Sequence, residues 1–340
     1  MSDALPTQVR GSWHRFLDEV EALRPELYRY CRYLTRSPWD AEDLVQDTLA
    51  RAFVTLAQST SEIDNPRAWL FRVASNGWLN RVRHVGIEHA HARAASSSSS
   101  AADGIDASSR TPTSGTAMSG TAMSPDPRDT REAAGTLLAQ LAPQERAAVV
   151  LKDVFEFSLD DIASLLSTTS GAVKSALHRG RGKLADPEEP APNPVEKRVL
   201  DELCSAFNAR DLDRVTQLLL ETAVVEYPGV VVEYGREAAR AGTLHGALFG
   251  CDDPAILAAA PAGHRLLMTT PPRCEVRVHR GEPVMLCWWL DEGVDSVRAI
   301  VRVEIDGDRV CRMRTFMHSP ELLVEVGAEL GVPVVTTGYR

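Results

Sequence analysis

Ser170-Gly171-Ala172-Val173-Lys174-Ser175-Ala176-Leu177-His178-Arg179-Gly180-Arg181 holds no acidic side chain, in a chain of 340 residues whose net charge is −10. At helical spacing Val173, Ala176, Leu177, Gly180 and Leu184 form an apolar inner face. Gly171, Lys174, Ser175, His178, Arg179 and Arg181 form the outer one, and Ser170 is placed to cap the helix. Upstream, Ser158 suits the N-cap of a helix over 159–166, with Asp160 and Asp161 in its first turn, and Ser167-Thr168-Thr169 makes a short turn. Before these, Pro143 suits the start of a helix over 144–155. The pattern is a helix-turn-helix with a basic second helix. Lysine and arginine meet phosphates there, while side chains near the helix start reach base edges in the major groove.

A second helical block lies nearer the N-terminus. Between Asp40 and Leu56 the residues Ala41, Leu44, Val45, Thr48, Leu49, Ala52, Phe53 and Leu56 share one helical face. Asp40, Asp43, Gln46 and Asp47 share the other, with no basic residue before Arg51. Asn65 and Pro66 then suit a helix start. Beyond them Trp69, Phe71 and Trp78 alternate with Arg67, Arg72, Arg81 and Arg83. Rings on which bases stack, interleaved with guanidinium groups that pair with phosphates, suit single-stranded DNA. Arg72, Asn76, Asn80 and Arg83 fall on one stripe.

Between the blocks Ser96 to Ser100 is unbroken serine, and Ser-Gly-Thr-Ala-Met occurs twice in succession from Ser114. Such a segment buries too little apolar surface to offset its ordering entropy and reads as a disordered tether. Asp186-Pro187-Glu188-Glu189-Pro190-Ala191-Pro192-Asn193-Pro194 is a stiff linker after the second block. The segments are therefore 12–90, a tether at 91–132, a helix-turn-helix block at 133–184, a linker at 185–194, a domain at 195–318 and a tail at 319–340, with a short amphipathic helix over 320–330.

Behind the linker, Val199, Leu200, Leu203, Ala206 and Phe207 mark one helix and residues 212–220 a second. Strand signals follow at 223–227, 273–279, 284–290, 297–305 and 309–317, with Asp306-Gly307 as a hairpin turn. Helices followed by a twisted antiparallel sheet read as an α+β domain. Trp288 and Trp289 point to opposite faces of their strand, one into the core and the other outward to a partner surface.

The order of acidic helix, aromatic-basic helix, tether and helix-turn-helix resembles the bacterial RNA polymerase sigma factors of the extracytoplasmic-function group. The stretch from Val173 to Arg181 is similar to their −35-binding helix. The resemblance implies that Asp40, Glu42, Asp43, Leu44, Val45, Gln46 and Asp47 dock on a coiled coil of the polymerase β′ subunit. It implies that Arg72, Asn76, Trp78, Asn80, Arg81 and Arg83 serve the −10 element. Ser170, Gly171, Lys174, Ser175, His178, Arg179 and Arg181 would then serve the −35 element. Two departures stand out: Asn80 where many relatives are acidic, and Ala176 where relatives usually carry arginine. Ala206-Phe207-Asn208-Ala209-Arg210-Asp211-Leu212-Asp213 with its following strands resembles the SnoaL-like cone fold. In such sigma factors that domain looks regulatory.

The expectation is two all-α sigma domains followed by an α+β SnoaL-like domain that modulates them through intramolecular contacts. The implied partners are core RNA polymerase, through β′ and β, and promoter DNA. Bulk acidity excludes a protein that coats nucleic acid through overall positive charge. Six cysteines without a CxxC pair argue for reduced cytoplasmic thiols and against a zinc ribbon. No signal pattern or membrane-length apolar run is present. No catalytic residue, metal or cofactor is called for. The alternative is a bifunctional protein whose C-terminal domain is a small-molecule enzyme or ligand sensor, with Glu226, His245, His264, Glu275 or Asp291 as acid–base candidates. A stand-alone repressor is disfavoured, because it has no need of a helix that holds melted DNA.

Overall fold

Prolines open the two long N-terminal helices, where a missing N–H leaves no intrahelical bond unmade. After α1 (Arg24–Thr35), α2 runs from Pro38 to Gln58 and α3 from Pro66 to Ser98. Asn65 caps α3, its Oδ1 accepting from the Ala68 N–H at 3.0 Å. The computed structural model describes residues 20–58, 65–98, 141–180, 194–250, 270–291 and 293–336. Helix α3 continues eight residues beyond the boundary expected at 90. Ala90, Ala92, Ala94 and Ala95 supply strong helix propensity there. The tether from 99 onward and the proline-rich linker from 185 to 193 lie outside the described residues.

Contacts divide the chain into two units, and the division does not follow the expected segments. One unit is built from Tyr33–Arg36 and Asp47–Pro187, the other from Leu17–Arg32, Ser37–Gln46 and Glu188–Arg340. In the first, α3 is followed by α4 (Pro143–Val149, continued by a wider turn to Val154), α5 (Leu159–Leu165) and α6 (Ser170–Gly180). Leu70, Phe71 and Ala74 of α3 are buried, and the Phe71 ring lies 5.1 Å from Phe155 and 5.5 Å from Phe157. Ser158 caps α5 as expected, accepting from the Asp161 N–H at 3.0 Å. Thr169, rather than Ser170, caps α6. Its carbonyl already takes the Val173 N–H, and its Oγ1 takes the Ala172 N–H at 3.2 Å. A Cβ on Gly180 would stand 2.7 Å from Val149 Cγ2, so only glycine lets α6 approach α4 this closely.

The second unit holds α7 (Pro194–Ala209), α8 (Leu212–Leu218), β1 (Leu219–Tyr227), β2 (Val231–Tyr234), α9 (Arg236–Ala239) and α10 (His245–Phe249). Strands β3 (Arg273–His279), β4 (Glu282–Asp291), β5 (Val294–Asp306) and β6 (Arg309–Phe316) follow, and α11 (Pro320–Leu330) ends the fold. The strand order is β2-β1-β6-β5-β4-β3, with β1 and β6 parallel and every other pair antiparallel. The sheet is thus mixed, not antiparallel throughout, because β1 returns to pair with the last strand. Leu200, Leu203 and Phe207 of α7 cover one sheet face, on Met285, Cys287 and Trp289 of β4 and Ala299, Val301 and Val303 of β5. Alternation places Arg314 and Phe316 on the opposite face, where Asp43 and Trp39 of α2 meet them.

Neither adjacent tryptophan points outward to a free surface. Trp289 is in the core with its Nε1–H donating to the Thr270 carbonyl at 2.6 Å. Trp288 is only 8 % exposed, because the Arg273 guanidinium covers its ring at 5.0 Å. Beyond α11, Val334 bridges to Val297, and the Val335 N–H donates to the Val297 carbonyl at 3.1 Å. The first part of the expected tail is therefore a packed helix and a short strand-like clip.

Candidate nucleic-acid interface

Helix α6 presents the two faces that its spacing predicts. Val173, Ala176, Leu177 and Gly180 are buried, and Gly171, Lys174, Ser175, His178 and Arg179 are exposed. Ser170 is turned to α5, where its Oγ donates to Asp160 Oδ1 at 2.6 Å. Arg179 is tied to Glu145 of α4 at 2.6 Å, although its side chain stays mostly in solvent. Arg181 lies outside the described residues. Ala176 sits on the packed side at 6 % exposure, so this position offers nothing to a base edge in the observed arrangement.

A cleft of about 350 Å³ opens beside this helix, lined by Lys152, Leu159, Lys174, Leu177 and His178. Lys152 is a residue that the sequence reading missed. It stands on the turn closing α4, where its Nζ donates to the Phe157 carbonyl at 3.2 Å. Its signal was a lone lysine just before the helix-turn-helix, which carries no periodicity of its own. Two ammonium groups and an imidazole around one cleft match the spacing-tolerant chemistry of phosphate contacts.

On α3, Arg72, Asn76, Asn80 and Arg83 are exposed, as their shared stripe predicts. Asn76, Asn80 and Arg83 line a larger cleft, about 740 Å³, whose other wall is Pro143, Gln144, Leu166 and Ser167. Arg72 donates to Ser164 of α5 at 2.9 Å, which ties α3 to the helix-turn-helix. Trp78 departs from expectation. It is 5 % exposed, with the Arg146 guanidinium over its ring at 5.5 Å. Burial, with Arg36 nearby, lowers Arg146 to about 10, and its Nη1 also donates to the Leu34 carbonyl at 2.6 Å. A base cannot stack on Trp78 while Arg146 covers it.

The acidic face of α2 is only partly open. Asp40 is exposed. Leu44 and Val45 are fully buried and cannot touch a partner directly, because both lie on the apolar side of the helix. Glu42 is also fully buried, accepting from Arg24 at 2.6 Å and from Gln46 Nε2 at 2.7 Å. Asp47 pairs with Arg81 at 2.5 Å, with both side chains partly exposed. Asp43 accepts from Arg314 of β6 at 2.6 Å, with both side chains only 14 % and 13 % exposed. Gln46 packs on Gly229, where a Cβ would stand 2.5 Å from its Oε1.

Helix α11 reinforces this grip on the N-terminal helices. Glu321 pairs with Arg24, and Glu325 takes the Arg32 Nε–H at 2.6 Å and the Tyr28 hydroxyl at 2.8 Å. Burial, with the Glu325 carboxylate, drives the Tyr28 phenol far above its ordinary range. Glu329 bonds His279 at 2.7 Å and also pairs with Arg280. Burial opposes ionisation of Glu329, yet these two partners outweigh it and hold the carboxyl at about 2.

Glu226 and Glu275 are not brought together. Glu226 pairs with Arg312 on β6, and Glu275 with Arg277 on β3. Four strand spacings of about 4.8 Å separate their strands. The His245 ring lies 5.0 Å from Phe249. His264 and the Asp291 side chain lie outside what is described. Among the described residues no His, Cys, Asp and Glu group is placed to hold a metal.

Comparison with known proteins agrees with this layout. A Sigma-70 region 2 family model matches residues 20–86, and a Sigma-70, region 4 model matches residues 131–184. The ECF RNA polymerase sigma factor SigG of Mycobacterium tuberculosis is 30% identical over 63% of this chain and 61% of its own length. SigJ of the same organism is 31% identical over 60% of this chain and 62% of its own. The chain thus spans about three fifths of the length of these curated relatives. The crystal structure of the M. tuberculosis extracytoplasmic function sigma factor SigJ aligns over 91% of this chain and 98% of its own, at 21% identity and a TM-score of 0.31.

Proposed function

Because the chain belongs to the extracytoplasmic-function sigma factors, with regions 2 and 4 of the sigma-70 family in order, we propose that it brings core RNA polymerase to specific promoters and that its own C-terminal domain modulates this step. The promoter half rests on α6. Its basic outer face is exposed in an acidic protein, beside a cleft that gathers Lys152, Lys174 and His178. Lys174, Ser175 and His178 read the −35 duplex, and Lys152 holds a phosphate. Asn76, Asn80 and Arg83 line the cleft that receives the −10 strand, with Trp78 and Arg81 joining after Arg146 and Asp47 let go. Asp40, Asp43, Gln46 and Asp47 form the surface for the polymerase β′ subunit, supported from beneath by Leu44 and Val45.

The regulatory half rests on the Asp43–Arg314 pair. The carboxylate that a polymerase coiled coil would use is already neutralised by the protein's own sheet. Glu321 and Glu325 of α11 add a second hold on α1. The protein acts by binding, without chemistry of its own, and works in the cytoplasm where polymerase and genome meet. Among the described residues no helix is long and apolar enough to cross a membrane.

Binding of a selected promoter duplex at several salt concentrations tests the DNA half. Each phosphate contact contributes about −0.9 to the slope of log K against log salt. Lys174→Ala and Lys152→Ala are each expected to make the slope shallower by about that amount. A Lys152→Ala protein with an unchanged slope would remove Lys152 from the interface.

A further inference from the structure

Cys274 on β3 and Cys287 on β4 stand directly opposite one another in the antiparallel register, with their Sγ atoms 3.9 Å apart. Their backbones show which kind of cross-strand pair this is. The Cys274 N–H donates to Asn208 Oδ1 at 2.7 Å, and its carbonyl accepts from Asn208 Nδ2 at 2.9 Å. Both groups therefore point off the edge of the sheet, where β3 is the last strand, and neither points to Cys287. Opposing residues that exchange no hydrogen bonds have Cα atoms about 4.5 Å apart. That lies within the roughly 4.4–6.8 Å that a disulfide spans. Closing the remaining sulfur–sulfur gap asks for rotation about two Cα–Cβ bonds, and the strands already sit at the required separation.

The surroundings fit a thiol pair and not a metal centre. Cys204 of α7 is the third sulfur nearby, 3.7 Å from Asn208 Nδ2, and no carboxylate or imidazole completes a metal-binding group among the described residues. Burial, with Cys274 beside it, pushes Cys204 up to about 11. The contact with Cys274 and burial raise Cys287 well above its ordinary value. The thiolate is the reactive species, so burial slows the oxidation of this pair.

We propose that Cys274 and Cys287 are an oxidation site, a dithiol that hydroperoxides convert to a disulfide. One thiolate attacks a peroxide oxygen, the O–O bond breaks, and a sulfenic acid and water result. The second thiolate attacks that sulfur, the S–O bond breaks, and a second water leaves with the remaining protons. Two thiols lose two electrons, and one hydrogen peroxide becomes two waters. The new bond pins one end of β3. The other end carries His279, whose ring bonds Glu329 of α11, followed by Arg280 on the same carboxylate. Oxidation thereby acts on the strand that anchors α11.

The test exposes the reduced full-length protein to hydrogen peroxide, blocks remaining thiols with N-ethylmaleimide and maps peptides without reduction. The expected product is a Cys274–Cys287 linked peptide, two hydrogens lighter than the pair and separated again by dithiothreitol. The Cys204→Ser variant should give the same link, since Cys204 is a bystander. Recovery of Cys274 and Cys287 as separately alkylated or separately over-oxidised residues, at doses that oxidise the more exposed Cys311, would overturn the proposal. So would a link from either of them to Cys204.

Discussion

Arg314→Glu is expected to raise the affinity for core polymerase at least tenfold while leaving promoter-duplex binding unchanged. Arg314 holds Asp43 at 2.6 Å, and little of either side chain reaches water. Breaking a pair this little exposed costs about 3 kcal/mol or more. A glutamate adds like-charge repulsion against Asp43 and against Glu226, whose carboxylate lies 3.5 Å from Arg314. The face of α2 loses the Arg314 guanidinium that Asp43 accepts from. Sedimentation or surface plasmon resonance with purified core polymerase reads the change. Equal affinity in wild type and variant would separate Asp43 from docking, or Arg314 from its control.

Trp39→Ala is expected to lower thermal stability by about 3–5 kcal/mol, the range for emptying a large aromatic site. Trp39 is 3 % exposed. Its ring lies 5.2 Å from Phe316, edge-on to His279 at 5.7 Å, and under the Arg302 guanidinium at 5.9 Å. Hydrogen exchange should quicken in residues 38–46 and in β6 of the variant, while α6 keeps its protection. A variant that melts with the wild type, or that loses protection mainly in α6, would contradict this view of how α2 is held.

Much of the protein was legible because its signals are local. The faces of α6, the Ser158 cap, the Asn65 cap and the bounds of β3 follow from spacing and capping chemistry within a few residues. Long-range outcomes were not legible. Nothing near Leu219–Tyr227 announces that β1 pairs in parallel with β6, more than eighty residues later. Strand β2 has only four residues, and the helices over 236–249 follow an alanine- and glycine-rich stretch without a clear stripe.

The site was legible in composition but not in availability. Asp43 and Asp47 pair with Arg314 and Arg81, which come from distant segments. Arg312 and Arg314 flank the buried Met313, so outward arginines on β6 were implied by alternation, without indicating that α2 would meet them. Trp78 reads as a stacking platform in isolation, and only tertiary packing shows Arg146 above it.

Run-off transcription with core polymerase over a library of genomic fragments tests the central claim most directly. Full-length protein should yield discrete transcripts that core polymerase alone does not make. Arg314→Glu should yield the same transcripts at a lower protein concentration, since the change removes the Arg314 hold on the proposed docking face and leaves α6 intact. The absence of discrete transcripts with either protein would contradict the account, as would identical concentration dependence for the two.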